Sequence, residues 1–136
     1  MKMMDYFNVE FSDNEIKAMS SLALAHIGDA VYELLCRTYI ASTGKETNHS
    51  LHKATVSMVA AGAQAQAAEK IEALFTEEER EVFNRGRNAK VHAVPKASSH
   101  AQYHAATGLE ALFGYLYLKG RTERINELFA AVTEDK

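Results

Sequence analysis

The sequence predicts an all-α protein in a single domain, and three observations carry that reading. Pro95 is the only proline. Long stretches are rich in Ala, Leu, Glu and Lys, which are strong helix formers. Strand-like alternation of apolar and polar residues is absent, while apolar residues recur at helical spacing. The chain of 136 residues is long enough to bury a core without disulfide or metal staples.

Taken in order, Ser12 or Asp13 offers an N-cap for a first helix running through EIKAMSSLALAHIGDAVYELLCRTYI and stopping before Gly44. Leu24, Ile27, Val31, Leu34 and Leu35 form its apolar stripe. A second helix covers SLHKATVSMVAAGAQAQAAEKIEALF, whose alanines suggest close packing. A third begins at Thr76, where TEEE has the form of a capping box between Thr76 and Glu79. It ends around Arg85 and Gly86, with Gly86 suited to a left-handed C-cap. A loop, RGRNAKVHAVPKASS, follows. Ser98 or Ser99 then caps a fourth long helix that Gly120 ends, and RTERINELFAAV forms a last short one. No repeat or linker divides the chain, so residues 1–136 read as one domain, with 1–12 and 133–136 as loosely ordered tails.

Composition narrows the function classes. The apolar fraction of 47% and charged fraction of 24% are those of a globular protein, not a disordered one. Cys36 is the single cysteine and lies in an apolar run, so it reads as a small core residue in a reducing compartment. The N-terminus lacks the apolar run of a signal peptide and no stretch has membrane-spanning length, which predicts a cytoplasmic protein. A net charge of −3 argues against a globally basic nucleic-acid binder. The charge is uneven, however. No Asp or Glu occurs between Val82 and Leu109, where Arg85, Arg87, Lys90 and Lys96 alternate with His92, His100 and His104. That stretch reads either as a solvated loop or as a place where a polyanion meets positive charge.

Two segments carry the chemistry. In ALAHIGDAVYEL, Gly28 lies in mid-helix, where glycine costs about 1 kcal/mol relative to alanine and often marks close approach of another backbone. Asp29 stands beside it. In ATGLEALFGYLYL, Glu110 is flanked by Gly108, Ala111 and Gly114 within an apolar and aromatic helix. A carboxylate there is expensive unless paired or bound to a cation. If the helices cross at their small residues, Asp29 and Glu110 meet, and two hard oxygen ligands suit Mg²⁺. The alternative stays open: Leu22, His26, Asp29, Glu33 and Arg37 share a helical stripe that would equally serve as a solvated face, with Glu33 and Arg37 as an ordinary i,i+4 pair. No Ser–His or Cys–His nucleophile pair is evident. His100 and His104 share a helical face, for which a structural or polyanion-facing role fits better than zinc.

The segment LALAHIGDAVYEL resembles the signature helix of the ribonuclease III family, TGLEALFGYLYL its second active-site helix, and LHKATVSMV the helix between them. Over residues 16 to 130 the chain more closely resembles the mini-ribonuclease III family, which keeps the catalytic domain and lacks the double-stranded-RNA-binding domain; LHKA, FNRGRNAK and the VPK loop match as well. The resemblance implies a Mg²⁺-dependent endoribonuclease, with Mn²⁺ as a substitute, that cuts double-stranded RNA to leave 5′-phosphates. It implies a homodimer with one site per strand, acting on precursor large-subunit ribosomal RNA. Asp29 and Glu110 take the positions of catalytic metal ligands, and Arg85, Arg87, Asn88, Lys90 and Lys96 would grip the RNA. Two positions depart from full-length ribonuclease III, as they do in the mini family: Ala25 and Thr107 stand where that pattern has a glutamate and an aspartate. The competing readings are a catalytically silent relative that binds RNA or a ribosome, and a non-enzymatic helical dimer that serves as an interaction module.

Overall fold

The computed structural model describes residues 5–44, 47–89 and 99–134, and every regular element among them is helical. Helix α1 spans Asp13–Lys17, α2 Ser21–Ser42, α3 Asn48–Val59, α4 Ala61–Ile71, α5 Glu77–Arg87, α6 His100–Leu118 and α7 Thr122–Thr133; a 3₁₀ turn at Glu72–Leu74 follows α4.

The start and stop signals are local, and most act as the sequence predicts. Ser12 and Thr76 each form a reciprocal capping box with the glutamate three residues on, and Ser99 does the same with Gln102. Gly44 and Gly120 take positive φ values of 85° and 73° just beyond α2 and α6. Two predicted helices are interrupted. Ser20 accepts a hydrogen bond from the Ala23 amide and restarts the chain as α2, which separates it from α1. Ala60 is extended (ψ 147°) and divides α3 from α4. There the Gln64 side-chain amide donates to the Val59 carbonyl at 2.9 Å, so the break leaves that acceptor satisfied.

Two further expectations are corrected. Gly86 does not cap α5: it lies inside the helix without positive φ, and a Cβ there would sit 2.8 Å from the Ala111 Cβ and 3.0 Å from the Gly108 Cα. Its smallness serves contact between α5 and α6. The buried face of α2 runs through Leu24, Ala25, Gly28, Tyr32, Cys36 and Ile40, while Leu34 is 60% exposed and Ile27, Val31 and Leu35 are half-buried. The aliphatic stripe lies to one side of the true core face, which an aromatic ring, a thiol and a glycine complete.

Helix α6 is the axis of the domain. Ala106 to Leu109, Ala111 to Gly114, Leu116 and Leu118 are buried, so it is covered nearly all round. Helices α2, α4 and α5 pack on it, and α7 closes the core. The Tyr32 ring meets Phe113 and Phe129 edge-on, at centroid distances of 5.2 and 5.8 Å. Cys36 is fully buried, and burial pushes its thiol up to about 12, as suits an inert core residue. Glu79 is a buried charge, and its company explains it. Arg124 Nε and Nη2 each donate to its carboxylate at 2.8 Å, and the Thr76 amide donates at 2.9 Å. This fork ties α5 to α7.

Candidate active site

Small residues let α2 and α6 touch backbone to backbone. A Cβ on Gly28 would lie 1.6 Å from the Glu110 carbonyl oxygen, and one on Gly114 would lie 2.0 Å from the Leu24 carbonyl oxygen. Neither position has room for any side chain. The same contact fixes the site, because Gly28 rests on the main chain of Glu110 and Asp29 is the next residue. The two carboxyl groups come within hydrogen-bonding reach of one another.

Their surroundings differ. Asp29 is exposed, on the same solvated side as His26 and the Glu33–Arg37 pair, which closes at 3.0 Å. The stripe faces water, and its aspartate still lies beside Glu110. Glu110 is half-buried. Burial, then the Asp29 hydrogen bond and charge, push its carboxyl up to about 8, against the opposing pull of the Gln64 amide. A carboxyl pair in such a setting is stabilised by a proton shared between the groups or by a cation that both ligate.

The donor set fits a hard divalent cation. Two carboxylates and water satisfy Mg²⁺, which retains much of its hydration shell. Among the described residues no group of three or more His, Cys, Asp and Glu is placed to hold a metal, so the nitrogen and sulfur donors of a zinc site are not assembled there. The buried Oε1 of Gln64 has no hydrogen-bond partner, and its amide lies beside Glu110. Ala25 and Thr107 are both buried, and the Thr107 hydroxyl donates to the Tyr103 carbonyl at 3.0 Å rather than toward the carboxylates.

The described residues among those expected to grip RNA, Arg85, Arg87 and Asn88, fall on two faces of α5. Arg85 and Asn88 line a shallow groove along α5 together with Arg80 and Asn84, and Glu77 and Glu81 share it. Arg87 is turned to another face, its guanidinium 5.5 Å from the centre of the Phe83 ring, near Glu69, Glu72 and Gln102. Lys90, His92 and Lys96 lie outside the described residues. His100 and His104 stack at 6.3 Å, and the buried Nδ1 of His104 has no partner.

Residues 22–121 match the model of the ribonuclease III domain. That span contains both carboxylates and the crossing that joins them. The chain belongs to the mini-ribonuclease III branch of the ribonuclease III family. Mini-ribonuclease 3 of Clostridium tetani is 45% identical over 132 residues, covering 96% of this chain and 87% of that protein. The Staphylococcus aureus Mini-ribonuclease 3 is 40% identical over 118 residues, covering 85% and 88%. The crystal structure of protein FN1578 from Fusobacterium nucleatum superposes with a TM-score of 0.81 at 31% identity, covering 88% of this chain and 98% of that one. Membership in the mini-ribonuclease III family makes the chain an endoribonuclease.

Gln64 and Arg124 were missed by sequence reasoning. Gln64 sits in an alanine-rich helix with no local sign of its target, and Arg124 meets Glu79 across 45 residues of sequence. Only Glu79 gave a signal, and it pointed to capping alone.

Proposed function

We propose that the chain cleaves double-stranded RNA in a Mg²⁺-dependent hydrolysis at Asp29 and Glu110, with Mn²⁺ able to substitute. The observation that carries this reading is the meeting of the two carboxylates across the Gly28–Gly114 crossing, inside the segment that matches the ribonuclease III domain. Asp29 and Glu110 would hold the cation directly or through its waters. When bound, Mg²⁺ lowers the pKa of a water and offsets charge on the phosphate. The chain's own contribution is placement. Glu110 is fixed by the buried axis helix, Asp29 by a backbone contact that admits no slack, and the products carry 5′-phosphate and 3′-hydroxyl ends. Arg85, Arg87, Asn88, Lys90 and Lys96 would meet phosphates and 2′-hydroxyls of the duplex.

The substrate we favour is precursor large-subunit ribosomal RNA in the cytoplasm, cut by a homodimer with one site per strand. Exposed Leu22 and Leu34 on α2 support a second copy docking there. The test is cleavage of duplex RNA with Mg²⁺ by the wild type, Asp29→Asn and Glu110→Gln, with binding followed at rising salt. Each variant should lose roughly 10³-fold or more in rate and retain salt-dependent binding. Equal cleavage by all three proteins would remove the assignment. Intact binding without wild-type cleavage would favour the silent relative.

A further inference from the structure

Among the described residues, Tyr32 is the largest side chain that is fully buried, at 1% exposure. Its ring is accounted for by the edge-on contacts with Phe113 and Phe129. A phenylalanine would make both equally well. The hydroxyl is not accounted for. Tyr115 and Tyr117 donate to the Glu78 carboxylate and the Tyr6 carbonyl, whereas the Tyr32 hydroxyl makes no hydrogen bond with any described residue. Nor is its oxygen sealed in the interior, as Gln64 Oε1 and His104 Nδ1 are. Tyr32 lines a cavity of about 270 Å³ between α3, α4 and the end of α7, and the hydroxyl opens there. A buried O–H that the fold does not use is costly to keep.

The chemistry of the cavity is one-sided. Met58, Ala63, Ala67 and Val132 give it an apolar wall. Among the described residues Lys70 is the only charged group in the lining, and no aspartate or glutamate shares it. Lys70 Nζ donates to the Val132 carbonyl at 3.0 Å and to the Glu134 carbonyl, which holds the ammonium beside the cavity. Those bonds use two of its three N–H groups. The cavity thus offers a phenolic donor on its floor, a cation at its side and apolar surface between them. Its volume falls just below the range of about 300–1,000 Å³ that takes drug-sized ligands, which leaves room for a single ring or a short chain.

We propose that this cavity is a binding site for a small organic carboxylate. The carboxylate accepts from the Tyr32 hydroxyl and the remaining N–H of Lys70, and a compact apolar body lies against Met58, Ala63, Ala67 and Val132. Tyr32 follows Asp29 by three residues on α2, yet neither Asp29 nor Glu110 lines the cavity, so this is a second site and does not depend on the reading of the carboxylate pair.

The test is a titration of the full chain, isotope-labelled at its methionine methyls, with sodium benzoate. The Met58 methyl resonance, identified by its loss in Met58→Leu, reports on the cavity. Benzoate should shift it saturably. Benzamide has the same shape without the charge and should bind about tenfold more weakly or worse. Inorganic phosphate, an anion with no apolar body, should not displace benzoate at equal concentration. Tyr32→Phe keeps the ring contacts and should weaken benzoate about tenfold, and Lys70→Met by at least as much, in proteins whose circular-dichroism melts show them folded. Three results overturn the proposal: no saturable shift in the wild type, equal affinity for benzoate and benzamide, or a benzoate affinity in Tyr32→Phe within about twofold of wild type. The first two are read on the wild type alone, so a variant that fails to fold cannot hide them. Displacement of benzoate by phosphate at equal concentration overturns the choice of a carboxylate with an apolar body.

Discussion

Glu79 and Glu110 are both carboxylates drawn into the packing around α6, and they keep opposite company. Glu79 accepts two hydrogen bonds from Arg124 and one from the Thr76 amide. Burial alone would push its carboxyl up, but the guanidinium and the amide outweigh it and hold the group below the usual carboxylate range. Glu110 has another carboxylate for a neighbour, and burial and that neighbour push it to about 8. Burial therefore does not separate a structural acid from a functional one. What separates them is whether the chain itself supplies the counter-charge. At Glu79 it does, and the group is a tie between α5 and α7. At Glu110 it does not, and the proposed cation would supply the missing counter-charge.

The Glu110 side of this contrast is broken most severely at Gly28. A methyl group there would sit 1.6 Å from the Glu110 carbonyl oxygen and 2.8 Å from the Gly114 amide nitrogen. Both neighbours are main chain, so no side-chain rotation relieves the clash and the helices must part. Overpacking usually costs about 1–3 kcal/mol, and a backbone clash belongs at or above the top of that range. Gly28→Ala should lower the melting temperature by roughly 10 °C or more and separate Asp29 from Glu110, with cleavage lost in the fraction that remains folded. A melt within about 2 °C of wild type would show that the crossing is looser than described.

The Glu79 side is broken at Arg124. Arg124→Met keeps the aliphatic stem but strands a buried carboxylate with only the Thr76 amide for support. Removing one partner of a buried pair costs about 3–5 kcal/mol. The Arg124 side chain is 24% exposed, so solvent screening brings the expected loss down to roughly 2–3 kcal/mol. Glu110→Gln is the matched control and carries the opposite sign: it removes a carboxyl that the fold must keep protonated between about pH 4.5 and 8, and should raise the melt of the cation-free protein in that range. Denaturant titration of both variants checks the pair of signs. A Glu110→Gln variant as destabilised as Arg124→Met would erase the distinction.

How far the sequence revealed these features follows from the range of the interactions. Helix type and caps were legible because Ser12, Thr76, Ser99, Gly44 and Gly120 act within a turn of their own positions. The breaks at Ser20 and Ala60 were not foreseen. Ser20 lay within a strongly periodic run, and the Ala60 break is supported by a side chain that arrives from Gln64. The core face of α2 was misplaced because a count of aliphatic residues passes over Tyr32, Cys36 and Gly28. Glu110 announced itself through its apolar and small neighbours. Asp29 could not, since its own helix shows it to water and only the partner helix gives it meaning. The family pattern supplied that partner. The counter-charge of Glu79 and the amide beside Glu110 had no local signature at all.

The finest test of the contrast is the pH dependence of stability in chelator. Glu79 has a folded-state pKa below its ordinary value of 4.5, so its contribution is complete above that value and is lost as pH falls through it. Glu110 has a folded-state pKa raised from 4.5 to about 8, so the folded protein holds a proton that the unfolded chain releases. Its contribution is complete below 4.5 and is lost as pH rises toward 8. The cation-free wild type should therefore melt at increasing temperature up the acid limb and at decreasing temperature between about pH 5 and 8. The decline should amount to only a few degrees, because Asp29 is exposed and water reaches Glu110. Glu110→Gln should keep the acid limb and lose the decline, and Mg²⁺ should flatten the decline in the wild type by replacing the proton. A decline that survives in Glu110→Gln would place its source elsewhere, and would leave Glu110 no less settled within its own chain than Glu79.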